Sequence, residues 1–146
     1  YHILELNNES WVLDQGAYVC SDFPIEIGVV RNKGISMVFG SEGIFQTTVN
    51  GSGTVVFKSP GPIEEVQLNG ETLTVDGSFA VAREGSLDFK TELLGKGVMS
   101  KVAGGEGFVN VISGTGKVLL APVPTLWNSI VQRSILGLIP FLGNRG

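Results

Sequence analysis

Two segments of this sequence are near copies of each other. "GSEGIFQTTVNGSGTVVF" runs from Gly40 to Phe57, and "GGEGFVNVISGTGKVLL" from Gly104 to Leu120. When Glu42-Gly43 is laid on Glu106-Gly107, Gly40 meets Gly104 and Phe45 meets Val109. One gap later, Gly51 and Gly53 meet Gly114 and Gly116, and Val56 meets Leu119. Upstream, "LNNESWVLDQGAYV" from Leu6 matches "LNGETLTVDGSFAV" from Leu68, with Asp14 on Asp76 and, after a further shift, Gly16 on Gly77 and Tyr18 on Phe79. Chance likeness between two β-rich stretches would reproduce apolar positions, but not turn residues in the same order. The sequence therefore predicts a tandem duplication, with copies at about 2–60 and 64–121 inside a single domain.

Each copy reads as short strands broken by turn chemistry. In "LNGETLTVDGSFAVA", Asn69-Gly70 and Asp76-Gly77 are hairpin signals between alternating residues. "FVNVIS" sets Phe108, Asn110 and Ile112 against Val109 and Val111, the alternation of a half-buried strand. The glycine pairs Gly51/Gly53 and Gly114/Gly116 are expected to be tight turns between strands, not phosphate-binding loops, because no helix follows them. Glycine is frequent, at 21 of 146 residues, and it separates the apolar runs. The expected fold is all-β: a duplicated antiparallel β-sandwich of two pseudo-symmetric repeats.

The tail, residues 122–146, lies outside the duplication. Pro124 suits a helix start, and Leu126, Trp127, Ile130, Val131 and Ile135 follow at helical spacing until Gly137 and Pro140 break it. A short C-terminal helix is expected. Its dense apolar content predicts docking, preferably in an oligomer interface, and it is too short for a membrane span.

Composition narrows the function classes. Net charge is −4 and the ten basic residues are scattered, with Arg31/Lys33 and Lys96/Lys101 as loose pairs, so nucleic-acid binding is not expected. Charged residues make up only 16%, which suits a chain that buries surface against other subunits, and a homo-oligomer is expected. The one histidine, His2, lies near a terminus, and the one cysteine, Cys20, falls in an apolar run where a small buried side chain is expected. They make a poor nucleophile–base pair and a poor metal set, so neither metal nor cofactor is expected, and no enzyme activity. "YHILELNNES" has neither the basic region nor the apolar run of a secretory signal.

A few side chains remain as candidates. Glu42 and Glu106 hold equivalent places and form a possible acid–base pair, although equivalent turn roles explain them more simply. Trp11, Tyr18 and Trp127 offer rings on which a sugar or another small ligand would stack. A ligand-binding β module is accordingly the alternative to a structural and interaction module.

The G-x-E-G strand followed by G-x-G-x-V, together with "LNGETLTVDGSFAVAREGSLDF", resembles the altered-inheritance-of-mitochondria 24 family over about residues 5–140. This chain has "GSEG" in the first copy, where the family text is closer to "GGEG". The resemblance implies a duplicated β-sandwich related to the trp RNA-binding attenuator protein, which leaves RNA binding as a further alternative by analogy of fold. It also implies prokaryotic relatives of undefined biochemistry and fungal relatives tied to mitochondrial inner-membrane organisation. It supplies no catalytic residues. A cytoplasmic location is expected in a prokaryote, and a mitochondrial one in a eukaryote.

Overall fold

The computed structural model describes residues 1–32, 44–93 and 108–122. Its elements are β1 (His2–Leu13), β2 (Tyr18–Ser21), β3 (Glu26–Asn32), β4 (Ile44–Phe57), β5 (Glu64–Asp76), β6 (Ala80–Glu84), β7 (Asp88–Leu93) and β8 (Phe108–Leu120). The expected tail helix, Trp127, Glu42 and Glu106 lie outside the described residues.

The fold is all-β and antiparallel. The described strands join one eight-stranded sheet in the order β2-β4-β1-β6-β8-β5, with β3 also on β4 and β7 also on β8. Two long strands organise it. β4 has β1 along one edge; on the other edge β3 takes its first half and β2 its last residues. β8 is served in the same way by β5, β7 and β6. Each half is thus wired as three strands on its own last strand. The halves meet where β1 pairs with β6, through Trp11↔Glu84, Val12↔Arg83 and Leu13↔Ala82.

Two turn signals in the sequence have another role. Asn69-Gly70 does not end a strand. It sits inside β5, where the register with β8 shifts between Asn69 and Thr72. Gly70 takes φ 95° there, so the chain makes a bulge and continues. The first half makes its shift between Asn7 and Glu9, with Asn8 at φ 56° donating its N–H to Ser52 Oγ at 2.8 Å. Asparagine is among the few side chains that tolerate this conformation. The glycine pairs likewise lie within β4 and β8, not between strands. A Cβ on Gly53, at φ 142°, would stand 3.3 Å from Ile25 Cδ1, and one on Gly116 would stand 3.3 Å from Leu87 Cγ. Buried Ile25 and Leu87 lie over bare backbone there. The Asp76-Gly77 turn forms as read, with Asp76 accepting from the Ser78 N–H at 3.1 Å and the Ser78 hydroxyl at 2.9 Å.

There are two apolar clusters. The first holds Leu6, Trp11, Leu13, Val49, Val55 and Phe57 and takes in Val81, Ala82, Leu119 and Ala121 from the second half. The second is built on Leu68, Leu87, Ile112, Val118 and Leu120 from the second half alone. Burying a large apolar side chain stabilises by roughly 1.5–3 kcal/mol, so Val81 and Leu119 contribute most of what the borrowed residues add in binding the second half to the first. Asn110, on the buried side of "FVNVIS", accepts from Thr91 Oγ1 at 3.0 Å and donates to the Gly77 carbonyl at 2.9 Å. Cys20 is exposed, contrary to expectation, because nothing in the described chain lies over the outer edge of β2.

Gly53→Ala and Gly116→Ala are each expected to lower unfolding free energy by about 1–3 kcal/mol, through backbone strain and the displaced neighbour. Gly16→Ala, at φ 73° with open space around it, should cost less than either. Urea denaturation of the three variants measures the order.

Candidate functional site

The most unusual chemistry in the described residues lies at the seam between the halves. Arg83 sits in the middle of β6, paired with Val12, and is 5% exposed. A guanidinium cannot shed its proton at neutral pH, so a buried one needs partners. Its Nη1 donates to Gln46 Oε1 at 2.8 Å. Its plane lies over the Phe89 ring, 4.2 Å from the centroid, a cation–π contact with β7. Burial nevertheless holds the Arg83 pKa down at about 10, and nearby Asp14 only partly opposes this.

Gln46, 4% exposed on β4, is the hub. Its oxygen also accepts from Asn32 Nδ2, and its Nε2 donates to Asp14 Oδ1 at 3.2 Å. Asp14 closes β1, where its backbone N–H donates to Val81 O at 2.8 Å. Burial raises the Asp14 pKa; the bonds from Gln46 and from the Gln15 backbone, and the charge of Arg83, pull the other way and do not overcome it. Arg83 Nε has no partner among the described residues.

Asp14 also faces a cleft of about 380 Å³ at the same junction. Gln15, Gly16, Ala17, Lys58, Ser59 and Ser78 contribute to its walls. One half-buried carboxyl, one lysine and two hydroxyls can hydrogen-bond a small polar molecule. Among the described residues no group of three or more His, Cys, Asp or Glu is placed to hold a metal.

The residues singled out in the sequence are dispersed. Trp11 is 3% exposed in the first cluster, its Nε1 donating to Glu9 Oε2 at 3.3 Å. Tyr18 is half-buried on β2 and shares a 3.1 Å hydrogen bond with Ser21. His2 stacks on Phe57 and bonds Ser59 Oγ through Nε2 at 2.8 Å, apart from Cys20. Asp14, Gln46 and Arg83 were not singled out. Their one signal is an arginine inside the small apolar run "AVARE".

The geometry defines an all-antiparallel β module whose halves meet across a polar seam. The chain belongs to the family described as Mitochondrial biogenesis AIM24, whose model matches residues 2–123. It is similar to an uncharacterized protein of Streptococcus pyogenes serotype M6, being 32% identical over 118 residues, which is 80% of this chain and 47% of that protein. It is also similar to the crystal structure of a Streptococcus pyogenes protein, with a TM-score of 0.68 and 27% identity over 96% of this chain and 59% of that one. The chain thus spans about half the length of the curated relative, 47%.

The seam has a pH signature. The Asp14 pKa is raised on folding, so the folded state holds this proton where the unfolded chain has lost it. Stability from this group therefore falls as pH rises from the ordinary aspartate range, 3.8, through the raised value, and then levels. Asp14→Asn should show less of this fall than wild type when urea midpoints are compared between about pH 4 and 7. Gln46→Leu strips partners from Asp14 and Arg83 together and should cost at least about 1–3 kcal/mol at neutral pH.

Proposed function

We propose that this chain is a non-enzymatic structural and interaction module, built from two copies of one β unit, that assembles with itself. One observation carries the reading. The exposed large hydrophobics of the described residues are Tyr1, Ile3, Val19, Phe23, Ile27, Val29 and Phe45, all in the first half. Three of them form a row. Ile27 pairs with Val49, Val29 with Thr47 and Arg31 with Phe45, so Ile27, Val29 and Phe45 continue the face on which Val49 and Trp11 are buried. They are 54%, 70% and 45% exposed. Contiguous apolar surface of this kind marks an interaction site. The low charge content and the matched wiring of the two halves support the same reading.

The cleft beside Asp14 favours a second reading, a small-ligand module that holds a polar molecule between Asp14, Lys58, Ser59 and Ser78. A ligand of that site would raise the melting temperature with concentration, and Ser78→Ala with Ser59→Ala would abolish the shift.

For the first reading, light scattering should give a mass above one chain at tens of micromolar, falling on dilution. A mass of one chain throughout that range would end it.

A further inference from the structure

The internal seam joins two strand edges, and the chain carries a second copy of each edge that no described strand pairs with. β6 lies on β8 through Ala80↔Leu120, Ala82↔Leu119 and Arg83↔Val118. β2 lies on β4 through Tyr18↔Phe57, Cys20↔Val56 and Ser21↔Val55, with the register shift in the same place. Cys20 therefore stands where Ala82 stands, and Val19 where Val81 stands. On the other side, β1 meets β4 through Trp11↔Val49, Val12↔Thr48 and Leu13↔Thr47. β5 meets β8 through Leu73↔Ile112, Thr74↔Val111 and Val75↔Asn110. Leu73, Thr74 and Val75 are the counterparts of Trp11, Val12 and Leu13.

We infer that a second copy of this chain docks head to tail, its β2 edge pairing with the β5 edge of the first as β6 pairs with β1. The inference rests on the self-assembly reading above and names its surface. The internal seam sets the register: Leu73↔Asp22, Thr74↔Ser21 and Val75↔Cys20 between copies. Within one chain the two edges are not paired, and β2 and β5 lie at opposite ends of the sheet order.

Burial carries the argument. In the internal seam Val81, Ala82 and Leu119 are 5%, 3% and 6% exposed, and Trp11 and Leu13 are 3% and 0%. Their counterparts remain open: Val19 is 43% exposed, Cys20 is exposed, and Val56, Leu73 and Val75 are only half-buried. The edges also lack the usual protection. Isolated edge strands are commonly blunted by charge or proline, yet Tyr18–Ser21 and Thr72–Val75 contain neither. The charges of β5 are gathered at Glu64, Glu65 and Glu71, before the free segment, and at its last residue, Asp76.

One counterpart differs. In the internal seam Gly85 N–H donates to Ser10 O at 2.7 Å, and a Cβ on Gly85 would stand 3.2 Å from that oxygen and 3.0 Å from Ser10 Cβ. Phe23 takes the place of Gly85 and Thr72 that of Ser10, so the ladder between copies stops at Asp22. Because donor and acceptor edges differ, the contact is heterologous, and repetition gives a ring or an open filament.

The seam can be trapped. Leu13↔Ala82 lies between the hydrogen-bonded positions Asp14 and Val12, so the matching Val75↔Cys20 pair is a non-hydrogen-bonded one, with Cα atoms ~4.5 Å apart, within disulfide reach. V75C, with Cys20 retained, should give a ladder of disulfide-linked oligomers on a non-reducing gel under mild oxidant. The ladder should collapse with reductant and be lost in C20S/V75C. Cys20→Lys blocks the β2 edge and Thr74→Pro the β5 edge, and each should shift wild-type oligomers to one-chain mass. Mixed, the two variants should recover a dimer, because each retains the edge the other lacks; misfolded chains would not. If wild type assembles but V75C gives no ladder and the mixture stays monomeric, this seam is overturned and self-assembly stands on another surface. A monomeric wild type overturns both.

Discussion

The fold depends on the pairing of β1 with β6. Only three residue pairs are in register there, yet the contact makes one sheet out of two halves. Its two faces are unlike. On one, Trp11, Leu13 and Ala82 join the first apolar cluster. On the other, Arg83 lies against Val12 and reaches across to Gln46. The apolar face adds burial, whereas the polar face supplies selection. A buried guanidinium left without Gln46 would be heavily penalised, so a seam slipped by one residue, which turns Arg83 into the apolar face, is excluded.

This division explains why the second half is the dependent partner. Its own cluster is smaller, and four of its apolar residues are buried in the cluster of the first. The first half is correspondingly rich in uncovered apolar side chains, from Val19 to Phe45. The cleft beside Asp14 lies where the halves meet, so anything bound there would also report on the junction.

The strands were legible because alternation is a local signal: Phe108, Asn110 and Ile112 against Val109 and Val111 are readable without partners. The Asp76-Gly77 turn was legible for the same reason. Asn69-Gly70 misled because a two-residue turn and a bulge ask the same backbone of glycine, and only the partner strand decides between them. Gly51, Gly53, Gly114 and Gly116 misled likewise: all four take positive φ, and the close neighbours of the last three are Asp22, Ile25, Glu84 and Leu87, which lie far off in sequence. The aromatic match of Tyr18 with Phe79 is displaced by one, since register sets Tyr18 opposite Phe57 as Ala80 is opposite Leu120. The Asp14–Gln46–Arg83 set was not legible, because its members stand 32 and 37 residues apart and nothing local relates them.

In each half the strand that holds the others is the last to be made. β1, β2 and β3 all lie on β4, and β5, β6 and β7 on β8. On the ribosome the first half therefore stays without its organising strand until Phe57 has emerged, and the second until Leu120. Folding in such a chain proceeds in two late steps, each closing contacts between distant residues and each leaving apolar strand edges open beforehand. Until β6 arrives, the edge of β1 that will form the seam has no partner, so the completed first half is most exposed to wrong pairing during the interval in which the second is being synthesised.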